Sequence, residues 1–227
     1  MPTFWVHLIC LAASYLAGAT PFAFLIAGLN GVDIRKVGSG NVGATNVFRA
    51  VGKGWGILTF FCDAAKGFVP AFLFPALAQK WVADAVPNTA GLAILCAVGA
   101  IAGHNWPVYL RFKGGKGVAT SAGALLGIHW LPVTLGLAAW IVVFLITRYV
   151  SVGSITAAVV VAVCAWVFPP ETGARLVPSA FTILAVLIIW RHKSNIQRLA
   201  NGVEHRFEFR KKKGDCSGGQ KIDHGLH

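Results

Sequence analysis

Carboxylates are scarce in this sequence: eight Asp and Glu stand among 227 residues, and all charged types together make up 12% of the chain. Soluble domains carry roughly twice that charged fraction, so a water-soluble globule is excluded. The shortage also limits the chemistry. Asp33, Asp63 and Glu204 are the only carboxylates near the polar connections, too sparse for the clustered acidic ligands of a Mg²⁺-dependent phosphotransferase of the CDP-alcohol type. Neither a metal nor another cofactor is expected. Cysteine adds no handle: Cys10, Cys62, Cys96 and Cys164 fall inside apolar runs and Cys216 lies in the tail, without CxxC spacing. They read as small interior residues, which excludes a disulfide framework and a Cys–His nucleophile. A basic n-region is missing from Met1-Pro2-Thr3-Phe4, and no small-residue cleavage site follows the first apolar run. That run is expected to stay as a span.

What the chain has instead is apolar surface, 56% of its residues, with a mean hydropathy of +0.67. A span takes about 20 such residues, and hydropathy places seven, near 4–28, 55–79, 88–107, 115–129, 131–147, 153–169 and 176–191. The expected fold is an all-α integral membrane protein, a seven-transmembrane-helix bundle in one domain over residues 1–209. A polar, Lys- and Gly-rich tail over 210–227 is expected to be disordered. The formal charge of +12 is spread through short connections rather than along one soluble face, which points to a membrane and not to nucleic acid. Arg35, Lys36, Arg49 and Lys53, then Arg111 to Lys116, Arg148 and the stretch from Arg191 alternate with connections that hold few positive charges, Lys80–Asn88, His129–Pro132 and Pro169–Pro178. The positive-inside rule then puts the N-terminus outside and the C-terminus in the cytoplasm. Trp5, Trp81, Trp106, Trp130, Trp166 and Trp190 fall near span ends, as headgroup markers would.

The polar residues gather on the cytoplasmic side. In the first connection, Gly38-Ser39-Gly40-Asn41-Val42-Gly43-Ala44-Thr45-Asn46 combines glycines that let backbone N–H groups approach an anion with Ser, Asn and Thr donors, and Arg49 adds a fixed charge. Alone, the stretch reads first as a turn and helix cap, and the basic, glycine-rich second connection on the same side shifts the reading to phosphate binding. The second connection reads Lys113-Gly114-Gly115-Lys116-Gly117-Val118-Ala119-Thr120, in which ammonium groups, backbone N–H groups and a helix N-terminus are able to converge on one phosphate. It is no P-loop, since Gly117 stands where Ser or Thr would follow the lysine. Ser151 and Ser154 supply hydroxyls in the third connection. In the last, His192, Asn195 and Arg198 recur at three-residue spacing and share a helix face, with Glu204 following. His104 and His192 are candidate general bases. Asp63 and Lys66, i and i+3 within the second span, pair on one face; a structural ion pair and a site contribution from Lys66 both remain open.

These motifs together, with Gly103-His104 and His192-x-x-Asn195-x-x-Arg198-Leu199-x-x-Gly202-x-Glu204, resemble the bacterial acyl-phosphate-dependent glycerol-3-phosphate acyltransferase family, in order and spacing, over residues 4 to 209. The resemblance implies an acyl phosphate donor, sn-glycerol 3-phosphate as acceptor, a lysophosphatidic acid product, and a cytoplasmic-side site in a bacterial plasma (inner) membrane. It separates the chain from CoA-dependent glycerolipid acyltransferases, whose His-x4-Asp signature is absent because Tyr109 follows His104. Ser39, Arg49, Lys113, His192 and Asn195 are then the expected catalytic residues. Gly40, Asn41, Thr45, Asn46, Lys66, His104, Gly114, Gly115, Lys116, Gly117, Ser151, Ser154, Arg198 and Glu204 are expected to bind substrate or phosphate, with the acyl chain between helices. A transporter or channel for a phosphorylated solute is the rival, but it would need polar residues at mid-membrane and internal repeats.

Overall fold

The computed structural model describes residues 3–86 and 88–207. The expected tail over 210–227 lies outside the described residues. Among the described residues ten α-helices run in order: α1 Thr3–Ala19, α2 Phe22–Leu29, α3 Ala44–Ala50, α4 Lys53–Trp81, α5 Thr89–Asn105, α6 Val118–Ile128, α7 Trp130–Thr147, α8 Val150–Val167, α9 Leu176–Arg191 and α10 Lys193–Ala200.

The first predicted span is α1 plus α2, broken at Thr20-Pro21. Proline has no N–H to continue the ladder and disfavours helical backbone in the residue before it, so the helix ends there, and the Thr20 carbonyl accepts from the Phe22 N–H at 3.1 Å and from Lys66 Nζ at 2.8 Å. Among the described residues five segments are long and apolar enough to cross a membrane, Thr3–Leu29, Lys53–Trp81, Thr89–Leu110, Trp130–Thr147 and Val150–Val167, and α9 joins them if counted with α10 across a 52° bend. The fourth expected span, near 115–129, is the exception. Its helix, α6, has 11 residues, about 16 Å at 1.5 Å per residue, roughly half the hydrocarbon thickness. The Lys-Gly-Gly-Lys-Gly run stays non-helical up to Gly117, whose φ of +79° caps the helix from the left-handed region.

With few large side chains between them, the inner helices pack backbone to backbone. A Cβ on Gly123 of α6 would collide with the Ala64 carbonyl of α4, and one on Gly103 of α5 with the Tyr15 carbonyl of α1. Such close approach through small residues is how helices associate where the solvent is itself apolar. The outer faces carry Ile146 and Ile183 at 73% and 69% exposure. Trp81 and Trp130 are exposed at helix ends. Trp106 differs: it is half-buried and its ring lies 5.4 Å beneath the Arg191 guanidinium.

Candidate active site

Five chain-distant pieces meet at one end of the bundle: the first connection with α3, the Gly117 end of the second connection, the start of α8, the end of α9 with α10, and the turn holding Glu204 and His205. They enclose an open cleft of about 150 Å³. Ser39, Asn41, Thr45, Asn46, Arg49, His104, Lys116, Gly117, Ser151, Ser154, His192, Asn195, Arg198 and Glu204 all line it. Phe60, Trp140 and His205 line it too, unsignalled by any motif.

The first connection is a loop built around Asn46. Its Nδ2 donates to the carbonyls of Ile34, Val37 and Asn41 at 3.0, 3.1 and 3.1 Å, and its Oδ1 accepts the Ser39 N–H at 3.3 Å. Its amide is therefore consumed inside the loop, and Asn46 shapes the loop where a phosphate-binding role was expected. Gly38 and Gly40 hold φ of +56° and +66°, the left-handed turn that glycine tolerates. Gly40 does not line the cleft. The loop leaves the Ser39 and Thr45 hydroxyls at the cleft wall, while Arg49 Nη2 donates to the His205 carbonyl at 3.3 Å.

The second connection sorts its own residues. Lys116 enters the cleft and donates to Asn195 Oδ1. Lys113, expected to be catalytic, is exposed and outside the cleft, because Arg111 and Phe112 take φ of +52° and +61° and turn the chain just before it. Gly114 and Gly115 also miss the cleft. They line a small crevice behind it with Asp63, Lys66 and His104. The Gly115 N–H donates to the His104 carbonyl at 3.2 Å, and a Cβ there would strike His104 Nε2 and come within 2.6 Å of the Val42 carbonyl. These glycines are needed for close packing. Burial, then the charges of Arg198, Arg191 and Arg49 against the opposing Glu204, push Lys116 down to about 8.

In the last connection Glu204 is the organiser. Its carboxylate accepts from Ser151 Oγ at 3.0 Å, Asn195 Nδ2 at 2.7 Å and Arg198 Nε at 2.7 Å. Burial alone would raise its pKa, but these donors hold it below the usual carboxylate value. A carboxylate repels phosphate, so the expected phosphate-binding role gives way to one of holding Ser151, Asn195 and Arg198 in place. Ser154 Oγ donates to the Val150 carbonyl at 2.8 Å and accepts Trp140 Nε1 at 3.3 Å. His192 stands at the break after α9, with Nδ1 2.8 Å from the Ile188 carbonyl. A carbonyl only accepts, so Nδ1 carries the proton and Nε2 keeps the lone pair. Burial pushes His192 down to about 4, and the ring is neutral at physiological pH.

Lys66 pairs with Asp63 Oδ1 at 2.8 Å, and His104 Nδ1 approaches the same oxygen at 3.7 Å. Lys66 is fully engaged behind the cleft, which makes the pair structural and takes Lys66 out of the expected binding set. Among the described residues no three His, Cys, Asp or Glu side chains gather to hold a metal. With Glu204 matched by Arg198 and Asp63 by Lys66, Arg49 and Lys116 leave the cleft with surplus positive charge.

A helical bundle of apolar segments with a cationic cleft lined by hydroxyl and amide groups is an integral membrane protein whose cleft has the chemistry that suits an anion. Sequence comparison gives the particular family. Residues 8–202 match the glycerol-3-phosphate acyltransferase family model, and the chain belongs to that family of acyltransferases. It is 43% identical to the glycerol-3-phosphate acyltransferase of Aquifex aeolicus over 195 residues, 86% of this chain and 95% of that one. It is 43% identical to that of Geobacter sulfurreducens over 204 residues, 89% and 98% of the two chains. Its fold is similar to crystal structures of PlsY, an integral membrane glycerol 3-phosphate acyltransferase. For the glycerol 3-phosphate form the TM-score is 0.79 at 40% identity, covering 89% of this chain and 96% of that one. For the lysophosphatidic acid form the values are 0.77 and 39%, over 89% and 95%.

Proposed function

We propose that the protein transfers an acyl group from an acyl phosphate to the 1-hydroxyl of sn-glycerol 3-phosphate, giving lysophosphatidic acid and inorganic phosphate. The observation that carries this reading is the cleft in which Ser39 and Arg49, Lys116 and Gly117, and Ser151, His192 and Asn195 converge from distant parts of the chain. A transporter path would set its polar groups at mid-membrane, whereas these sit at helix ends.

The donor is a mixed anhydride that already carries its leaving group. The protein has to hold two anions together, align the hydroxyl with the acyl carbonyl, and stabilise developing charge. Arg49, Lys116, Ser39 and the Gly117 amide bind phosphate, while His192, Asn195 and Ser151 orient the glycerol. The hydroxyl oxygen attacks the carbonyl carbon, the bond to the phosphate oxygen breaks, and the electron pair leaves with phosphate. The proton goes to the stronger base. A phosphate monoester has a second pKa of about 6, above the about 4 at which burial holds His192. The acceptor's own phosphate takes the proton, and His192 Nε2 aligns the hydroxyl by accepting its hydrogen bond. The acyl chain leaves between helices past Phe60 and Trp140.

The reading places the cleft on the cytoplasmic face of a bacterial inner membrane. The starts of α6 and α8 and the ends of α5 and α9 reach the cleft, the alternation expected if the chain runs back and forth seven times with α6 as a short fourth leg. That supports opposite sides for the two termini, and the basic connections favour the cytoplasm for this one.

The test uses purified full-length protein in detergent with EDTA, palmitoyl phosphate and glycerol 3-phosphate. Lysophosphatidic acid and phosphate should appear in equal amounts. No product, or product only from acyl-CoA, overturns the proposal.

A further inference from the structure

Lys116 reaches the cleft only because its loop is held, and the hold comes from a residue outside the cleft. Arg191, the last residue of α9, donates from Nη2 to the Gly115 carbonyl, the oxygen of the peptide that leads into Lys116. Its guanidinium is backed by the Trp106 ring at 5.4 Å. On the other side of the same glycine, the Gly115 N–H is tied to the His104 carbonyl at 3.2 Å. Beyond Lys116 the chain is fixed again, because the ammonium donates to Asn195 Oδ1, and Asn195 N–H donates to the His192 carbonyl at 2.8 Å. The contacts close a ring: Arg191, Gly115, Lys116, Asn195, His192 and back to Arg191 along the backbone. We propose that Arg191, with Trp106 as its backing, is a positioning residue that locks the Gly115–Lys116 peptide to the end of α9, so that Lys116 and His192 are presented to the substrates in one fixed register. The proposal rests on the reading of Lys116 and His192 as substrate-binding groups given above.

Arginine is suited to this role. Its guanidinium lies over the indole at 5.4 Å while donating to the Gly115 carbonyl, and lysine has neither the fork nor the plane to do both. The loop cannot provide the hold itself, since Gly114, Gly115 and Gly117 bring no side chains. Arg191 also lends its charge to the cleft. Lys116 is faced by Arg191 from α9, Arg198 and Glu204 from α10 and the turn after it, and Arg49 from α3, and Arg191 is among the cations that lower its pKa.

The two contributions separate by variant. Arg191→Lys keeps the charge and loses the planar fork; kcat should fall about 10-fold or more, with the alkaline fall in activity at an unchanged pH. Arg191→Gln loses both; kcat should fall further, and the alkaline limb should move to higher pH as Lys116 regains basicity. Trp106→Leu keeps the charge and removes the backing; kcat should fall as for Arg191→Lys, again with an unmoved limb, which keeps the proposal testable should Arg191→Gln not fold. Activities are taken per folded protein, measured by size exclusion and tryptophan or tyrosine fluorescence, with palmitoyl phosphate and glycerol 3-phosphate. Variants with wild-type kcat and an unmoved limb, whatever their thermal stability, overturn the proposal and leave Arg191 a packing residue. A wild-type protein inert toward these substrates would instead refute the functional reading, so the two failures are distinct.

Discussion

Replacing Glu204 with Gln tests the site's internal logic most sharply, because the carboxylate is the point where three chain segments are tied. It accepts from Ser151, Asn195 and Arg198 at 3.0, 2.7 and 2.7 Å. Hydrogen bonds to a charged group contribute about 1.5–3 kcal/mol each, and a buried donor left unpaired costs about 1–3 kcal/mol. Glutamine keeps one acceptor oxygen but turns the other position into an NH₂ group. If the oxygen stays with Ser151 and Asn195, the NH₂ faces Arg198 Nε, donor against donor, and the other amide orientation offends Ser151 and Asn195. One charge-assisted bond is lost in either case and the survivors lose the negative charge. A total of about 2–4 kcal/mol follows, which corresponds to roughly 30- to 1,000-fold in kcat/KM if the order of Asn195 is needed in the transition state. The assay is lysophosphatidic acid formation with each substrate varied in turn, beside a thermal melt. The wild-type protein supplies a second signature. The donors hold the Glu204 pKa down, so the ordering is complete above the ordinary carboxylate value and is lost only as pH falls through the depressed one; Glu204→Gln should abolish that acid limb. A folded Glu204→Gln protein with kcat and both KM values within about twofold of wild type would refute the organising role. An isolated rise in the glycerol 3-phosphate KM would show direct substrate contact instead.

The two lysines of the second connection should separate cleanly. Lys116→Met removes a cation and a bond to Asn195 and should lower kcat/KM by about 100-fold or more, as lost charge-assisted contacts do, whereas Lys113→Met should stay within about threefold; equal losses would contradict the placement of Lys113 outside the cleft. Because Lys116 is held near about 8, its charge is intact at neutral pH and lost as pH rises through that value, so KM for the phosphate substrates should climb above it; Lys116→Arg, charged throughout, should flatten the climb, and an unaltered profile would show that another group titrates. Lys66→Met strands Asp63 in the interior and should cost about 3–5 kcal/mol of stability, read as a lowered melting temperature, while kcat of the folded fraction persists; a melt unchanged from wild type would deny the buried pair its structural role.

Much of this site was legible in the chain because it is made of local motifs. Glycine-rich loops beside basic residues on one membrane face, and the His192, Asn195 and Arg198 helical spacing, announce anion binding before any fold is known. The spacing did not tell which member of a motif faces the ligand. Lys113 and Lys116 are indistinguishable along the sequence, and the left-handed turn at Arg111 and Phe112 separates them. Asn46 and Glu204 look like ligand residues because polar side chains in a loop are ordinarily free. Here they are occupied by backbone carbonyls and by donors from α8 and α10, partners up to 53 residues away. Arg191 stands beside His192 and looked like a positive-inside charge, its target lying 76 residues off.

Composition by itself pointed to a membrane, because a chain this poor in charge and rich in long apolar runs suits lipid, where an apolar run of about 20 residues satisfies its backbone as a helix. Hydropathy likewise fixed the order of the helices, since each apolar run must hydrogen-bond within itself. The length of α6, the sorting of the two lysines and the tying of the site to Glu204 and Arg191 were decided only by tertiary structure. Those features depend on which glycines let backbones touch and on which distant donors meet a given acceptor, and neither is encoded at any one place in the chain.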